Sequence, residues 1–227
     1  MGMEPADHFE PGLYEGLCTT RAIRRYRPDP VPDADVAAML YGATRAPSGS
    51  NRQPYRFLAL RDGPNAVKAK ALLGVSFREM WASKRAADGY DQGSGVEESS
   101  PKARMARTMQ RFVDQFEQTP LVVLAGVQSY REDVYLGASI YPACQNLLLS
   151  ARALGYGGVM TVWHVMVEAE LRELLAVPDD VFLVATLAIG KPEGHHGPLR
   201  RRPLQELAFD DRWGQGADWL VEPLAAP

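Results

Sequence analysis

Residues 134–154 constrain the fold more than any other segment, because they are apolar around most of a helical circumference. The apolar positions recur at helical spacing and include Leu136, Ile140, Cys144, Leu147, Leu148, Ala151 and Leu154. A surface helix keeps one face polar, so this pattern predicts a helix in the middle of the structure. Gly155 follows it and is a typical helix stop.

Apolar runs elsewhere predict strands around this helix. Residues 121–127 are uniformly apolar, which is typical of a central buried strand. Residues 55–61, 158–162 and 181–189 are the other predicted strands. Further helices are predicted at residues 9–18, 65–87, 102–118 and 167–176, and after Pro32 with Asp33 as the cap. This order predicts an α/β or α+β domain with a helix-flanked sheet.

Composition excludes several classes of partner. The formal net charge is only −3 and the charges are scattered, so we expect neither a nucleic acid nor a membrane as partner. Cys18 and Cys144 are the only cysteines and form no Cys-x-x-Cys pair, which argues against structural zinc or an iron–sulfur cluster. The acidic start and the short apolar runs predict neither a secretion signal nor a membrane span. We therefore expect a cytoplasmic protein.

Two stretches offer groups that bind a small ligand. Arg21 and Arg24 lie three residues apart and could converge on one phosphate, which guanidinium groups hold well; a solvated basic turn is the alternative. Residues 47–54 form a polar turn in which Gly49 permits close approach to a flat ligand, while Ser48 and Asn51 offer polar contacts. An ordinary turn is the alternative there.

A third stretch begins on the central helix with Gln145 and Asn146 and continues through residues 154–163. Its glycines lack the Gly-x-Gly-x-x-Gly spacing and the preceding strand of a dinucleotide-binding fold. They suit instead a short strand whose backbone faces a planar ring.

Together these stretches resemble the nitroreductase family of flavoenzymes. The resemblance runs, in order, through Arg21-Ala22-Ile23-Arg24, residues 46–54, Gln145-Asn146-Leu147-Leu148, Leu154-Gly155 and residues 200–204. It implies a single α+β domain over residues 1–227 with a central mixed sheet, and FMN as cofactor with NADPH or NADH as electron donor. It also implies a homodimer with active sites at the interface. The tail carries Trp213, Trp219, Leu220 and Leu224, which predicts an arm that packs across the other subunit; a disordered tail is the alternative. Residues 74–118 match no pattern of the family and are expected to form a variable lid.

The resemblance also implies roles for individual residues. Arg21 and Arg201, with Arg200, would hold the FMN phosphate, and Arg24 would reach the ribityl chain and the N1/O2 edge of the ring. The other implied cofactor contacts are Ala22, then Pro47, Ser48, Gly49 and Asn51 from the second subunit, and Met160, Thr161, Val162 and Trp163 near N5. Many relatives have Arg-Arg-Ser where this chain has Thr20-Arg21-Ala22.

Because the flavin performs hydride transfer, no catalytic side chain is required. His164 is a weak candidate for a proton donor or substrate contact, and a structural role is favoured. His195 and His196 are expected in an exposed turn. Trp81, Tyr90 and Phe112 could line the acceptor pocket, although core positions are the commoner role of such residues.

The expected function is electron transfer from NAD(P)H to nitroaromatics, quinones or similar small flat acceptors by ping-pong flavin chemistry. One alternative is a specialised flavoenzyme of the same fold, such as a dehalogenase, an enoate reductase or a flavin-modifying enzyme. The other is a non-catalytic flavin-binding protein.

Overall fold

The computed structural model describes residues 12–129 and 135–221. Its sheet comprises β1 (Tyr55–Leu60), β2 (Leu121–Gln128), β3 (Gly157–Thr161) and β4 (Val181–Gly190). The strand order is β1-β2-β4-β3, and every neighbouring pair is antiparallel. The expected mixed sheet is therefore wrong for these strands. Across residues 12–129 and 135–221, parallel pairing is limited to an isolated bridge between Ala22 and Gly158.

The helices lie where the periodicity predicts them, with shifted ends. They are α1 (Leu13–Thr19), α2 (Asp33–Ala43), α3 (Pro64–Ala87), α4 (Pro101–Asp114), α5 (Leu136–Ala153) and α6 (Glu168–Leu175). Residues 9–11, expected in α1, and residue 134, expected in α5, lie outside the described residues. The expected helix over residues 102–118 ends at Asp114 and is followed by a separate turn, Phe116–Gln118.

Asp33 does not cap α2, which is a correction to the sequence prediction. Pro32 occupies the cap position and Asp33 is the first helical residue, so no side chain closes the first turn. The Asp33 carboxylate pairs instead with Arg61, just after β1.

Each face of the sheet carries a layer of helices. On one face, α2 and α5 bury Met39, Ile140 and Leu147 against the strands. On the other, α3, α4 and α6 form a second cluster that includes Phe77 and Phe116. The segment expected to be a lid thus contributes residues 74–87 of α3 and the whole of α4 to the helical layers. Among the described helices, none has the length and apolarity needed to cross a membrane.

Strand β2 and helix α5 have the burial that the apolar pattern predicts. Residues 121–127 are all buried between β1 and β4. Helix α5 buries Ile140, Cys144, Leu147 and Ala151 completely. It stops at Gly155, whose φ of 78° is readily adopted only by glycine. The amide of Tyr156 closes the helix by donating to the Ala151 carbonyl at 2.8 Å, so that β3 starts directly after α5.

Residues 21–27 run beside the free edge of β3 and then beside the chain that follows β4. The amide of Ile23 donates to the Gly158 carbonyl at 2.9 Å, and that of Arg27 donates to the Lys191 carbonyl at 2.8 Å. Gly157 makes this approach possible, because a Cβ at that position would lie 2.5 Å from Cγ1 of Ile23. The arginine-rich segment is thereby fixed beside the end of β3.

Candidate functional site

A cavity of about 470 Å³ lies between the end of β3 and the helices α3 and α4. One wall is the chain from Val159 to Trp163, and Arg24 lies beside it. The rest of the lining comes from α3, α4 and the loop between them: Trp81, Lys84, Tyr90, Met105, Met109 and Phe112. We call this space the Arg24 cavity. It unites Arg24 with Met160, Thr161, Val162 and Trp163, which the sequence predicted to share one ligand.

The charge of Arg24 is not neutralised in this cavity. Its guanidinium forms no hydrogen bond or ion pair within residues 12–129 and 135–221, and no lining residue in that part of the chain is acidic. Burial lowers the pKa of Arg24 because it disfavours the charged form, while Tyr26 and Tyr90 act weakly in the opposite direction. A half-buried cation among aromatic and thioether side chains suits a flat ligand with an electron-rich edge.

The backbone around Arg24 is held on both sides. The amide bond from Ile23 to Gly158 precedes it, and the hydroxyl of Tyr26 donates to the Ala188 carbonyl of β4 at 2.9 Å. Arg24 therefore projects from a segment anchored to two strands, which limits the positions its guanidinium can adopt.

Arg21 lies on an adjoining surface beside residues 196–199. Its guanidinium donates to the Pro198 carbonyl at 2.9 Å, and the amide of Leu199 donates to the Cys18 carbonyl at 3.1 Å. Arg200 and Arg201 follow Leu199 directly and are exposed. The structure thus places the segment carrying both C-terminal arginines against the segment carrying Arg21, although none of the three lines the Arg24 cavity.

His196 is not in the exposed turn that the sequence predicted. It is half-buried, with Nδ1 accepting from the amide of Arg21 at 3.2 Å and Nε2 within 3.1 Å of the Tyr156 carbonyl. Because a carbonyl can only accept, Nε2 carries the proton in this arrangement. Burial is the largest influence on the pKa of His196 and lowers it. No sequence pattern marked this contact, which links residues far apart in the chain; His195 is exposed as expected.

The loop over residues 47–54 has an unusual backbone. Ser50, Asn51 and Gln53 have φ values of 52°, 52° and 50°, a region that non-glycine residues enter at a cost. The amide of Gln53 donates to Oγ of Ser48 at 2.9 Å, which helps to hold this shape. Pro47, Ser48, Gly49 and Asn51 do not line the Arg24 cavity of their own chain. Their expected contact with a cofactor from a second subunit stays a prediction.

His164 faces the core. Its side chain is 1% exposed, and Nδ1 lies 3.1 Å from Oγ1 of Thr186 on β4. Burial lowers its pKa, which keeps the imidazole neutral. This position favours the structural role over proton donation to a substrate.

Several lining residues were missed by sequence reasoning. Lys84, Met105 and Met109 share the cavity with Trp81, Tyr90 and Phe112. Trp81 and Phe112 are 1% and 4% exposed and belong to the core, which is the alternative that the sequence offered for them, and only Tyr90 of the three is partly exposed. The spacing of the apolar residues in α3 and α4 indicates which face of each helix is buried. It does not indicate which of these residues border a cavity. Lys84 forms an ion pair with Asp88, with 2.6 Å between Nζ and Oδ2.

Comparison with known proteins assigns the family. The model of the nitroreductase family matches residues 18–191. A Thermus thermophilus NADH dehydrogenase is 28% identical over 202 residues, covering 83% of this chain and 91% of that protein. The 5,6-dimethylbenzimidazole synthase of Rhodospirillum rubrum is 26% identical over 214 residues, with 88% and 90% covered.

Solved structures agree with this assignment. A Desulfovibrio desulfuricans protein assigned as a nitroreductase and solved in complex with FMN has a TM-score of 0.63 at 25% identity, covering 90% of this chain and 99% of its own. The FMN-dependent nitroreductase NfnB from Mycobacterium smegmatis, in complex with NADPH, has a TM-score of 0.64 at 19% identity, with 85% and 95% covered. The predicted α+β fold is confirmed, and the chain belongs to the nitroreductase family of oxidoreductases.

Proposed function

We propose that this protein is an FMN-dependent oxidoreductase that takes electrons from NADH or NADPH and passes them to nitroaromatics, quinones or similar small flat acceptors. The observation that carries the proposal is the uncompensated Arg24 guanidinium in a cavity lined by aromatic and thioether side chains. The names of two relatives support it, since one is an NADH dehydrogenase and the other was solved with FMN.

The described residues fit FMN. Arg24 and residues 160–163 would hold the ring, because they combine a cation that is unpaired within the described residues with a wall that includes the exposed residues Met160 and Val162. Arg21, Arg200 and Arg201 would hold the phosphate, because their two segments are hydrogen-bonded together. Ala22 would lie beside the cofactor, since its bridge to Gly158 places it at the edge of β3.

We also propose the homodimer. Pro47, Ser48, Gly49 and Asn51 would complete each site from the partner, which agrees with their exposed loop and its preset backbone. The C-terminal arm would reach across the dimer, since Trp213 is 88% exposed and Trp219 is 63% exposed in the isolated chain. Leu224, also expected in the arm, lies outside the described residues.

In this mechanism the protein would bind and orient FMN and the substrates, and its charges would stabilise the reduced cofactor. Bound FMN would supply hydride chemistry, which no side chain of this chain can perform alone. Arg24 would stabilise the negative charge that arrives with the electron pair, because no carboxylate of the described residues neutralises its own charge. Tyr90 would stack on donor and acceptor in turn, which suits a ping-pong exchange, while the buried rings of Trp81 and Phe112 would form the floor that excludes water.

The test is an anaerobic titration of the purified, FMN-loaded protein with NADH and NADPH. The proposal expects the yellow absorbance to bleach at once and to return when a quinone or a nitroaromatic is added. Colour that persists over minutes would contradict it and would favour a protein that binds flavin without cycling it.

A second candidate is a flavin-modifying activity. It is favoured by the relative named 5,6-dimethylbenzimidazole synthase, which covers 88% of this chain. Incubation of the protein with FMN, NADPH and oxygen, followed by mass spectrometry, would show 5,6-dimethylbenzimidazole if this candidate holds. An unaltered flavin would leave electron transfer as the function.

A further inference from the structure

A second, smaller cavity adjoins the Arg24 cavity. Its volume is about 180 Å³, and it lies between the extended segment at residues 24–28 and the end of α4. Arg24 and Phe112 line both cavities and form their shared wall. The other lining residues include Arg25, Arg111 and Glu193, so three guanidinium groups face one carboxylate in this space. We call it the Arg25 pocket.

The carboxylate is already engaged. Glu193 accepts from both terminal nitrogens of Arg111, at 2.8 and 2.6 Å, and Nε of Arg111 donates to Gln115 at 3.0 Å. The amide of Glu193 also donates to the Arg25 carbonyl at 3.1 Å, which fixes the two residues side by side. The local excess of positive charge therefore belongs to Arg24 and Arg25.

Arg25 offers a free guanidinium fork. Within residues 12–129 and 135–221 it forms no side-chain hydrogen bond and no ion pair. Gly194 borders it closely, since a Cβ there would lie 3.4 Å from Nη2 of Arg25. A pocket this small, in which two guanidinium groups unpaired within the described residues lie beside the polar side chains of Gln115, Gln118 and Thr119, suits a compact anion better than it suits a ring.

We propose that the Arg25 pocket binds a phosphate monoester, with Arg25 as the principal ligand and Arg24 and Arg111 as its neighbours. A phosphate monoester carries nearly two negative charges and three acceptor oxygens, which match guanidinium forks. Two sources of this group are open to test: the 2′-phosphate of NADPH, since the Arg25 pocket adjoins the cavity proposed for the reacting rings, and an unrelated phosphate monoester. The NADPH assignment rests on the proposed function, whereas the site itself does not.

The experiment uses calorimetric titration of the FMN-saturated protein at one fixed salt concentration. The probes are 2′-AMP and inorganic phosphate, with adenosine as the uncharged control. Arg25→Ala should weaken binding of both anions about tenfold or more, because it removes hydrogen bonds to a charged group. Glu193→Gln should strengthen binding, since it removes the carboxylate that opposes the anion. Arg27→Ala is the matched control, because Arg27 is exposed on the same segment and does not line the pocket.

Kinetics separate the two sources. If NADPH is the ligand, Arg25→Ala should raise the KM for NADPH about tenfold and leave the KM for NADH unchanged, at equal FMN content. Altered anion binding with an unchanged preference between the nucleotides would support the site and assign it to another monoester. Anion binding that is equal in the Arg25→Ala and Arg27→Ala variants would overturn the proposal. A protein that binds 2′-AMP but oxidises neither nucleotide would refute the proposed function alone.

Discussion

Replacing Gly157 by alanine tests how tightly the arginine segment is fixed to β3. The added Cβ would lie 2.5 Å from Cγ1 and 2.8 Å from Cβ of Ile23, and 3.2 Å from Nε2 of His196. Non-bonded carbons prefer about 3.5–4.0 Å, so the segment must retreat by roughly 1 Å. That retreat lengthens the hydrogen bond from Ile23 to Gly158 and displaces Arg24.

Overpacking of this kind costs about 1–3 kcal/mol of the free energy of unfolding. For a chain of this size, each kcal/mol lowers the Tm by about 2–4 °C, so Gly157→Ala should melt roughly 2–12 °C below the wild type. FMN affinity should fall as well, because Arg21 and Arg24 flank the displaced residue.

The assay is differential scanning fluorimetry together with a fluorescence titration of FMN. Gly216→Ala is the control, since nothing lies within 4 Å of a Cβ at that position, and its stability should stay within about 0.5 kcal/mol of the wild type. If Gly157→Ala matches this control in both Tm and FMN affinity, the packing of residues 21–24 against β3 is refuted.

Three further predictions concern the cavity and its surroundings. Arg24→Gln should lower the midpoint potential of bound FMN by about 30–60 mV in a spectroelectrochemical titration. A hydrogen bond to a charged group contributes about 1.5–3 kcal/mol, and 30 mV corresponds to about 1.4 kcal/mol for two electrons. An unchanged potential would show that Arg24 does not contact the ring. Burial lowers the pKa values of His164 and His196 in the folded chain. As the pH falls below 6.5, the unfolded chain therefore binds more protons than the folded chain does. The Tm measured against pH should therefore be constant in this respect above pH 6.5 and should decrease below it. His164→Gln should make that decrease smaller. Tyr90→Leu should raise the KM for aromatic acceptors and for the nicotinamide donor about 2–10-fold, as measured by steady-state kinetics, because both would stack on its ring in turn; unchanged KM values would remove Tyr90 from the substrate site.

The sequence predicts the layered core well because burial leaves a direct record in residue type. The continuous apolar run of residues 121–127 could only lie between other strands, and the apolar circumference of α5 required burial. Gly155 marked the end of α5 because the backbone turns there with a positive φ. These features depend on local chemistry, so periodicity and composition suffice to find them.

The site is harder to predict because long-range contacts define it. Residues 21–27 carry charges rather than an alternating pattern, so nothing local indicates that they pair with the edge of β3. His196 likewise gains its burial from Arg21 and Tyr156, which are distant in the chain. The resemblance to a family identified Arg24 and residues 160–163, whereas the wall from α3 and α4 emerges only once those helices are packed.

The most direct test of the central claim is a crystal structure of the FMN-bound protein. We predict that the flavin ring lies in the Arg24 cavity beside Met160 and Thr161, with the guanidinium of Arg24 at hydrogen-bond distance from the ring. A flavin bound elsewhere, with Arg24 facing solvent or paired with a carboxylate, would contradict it.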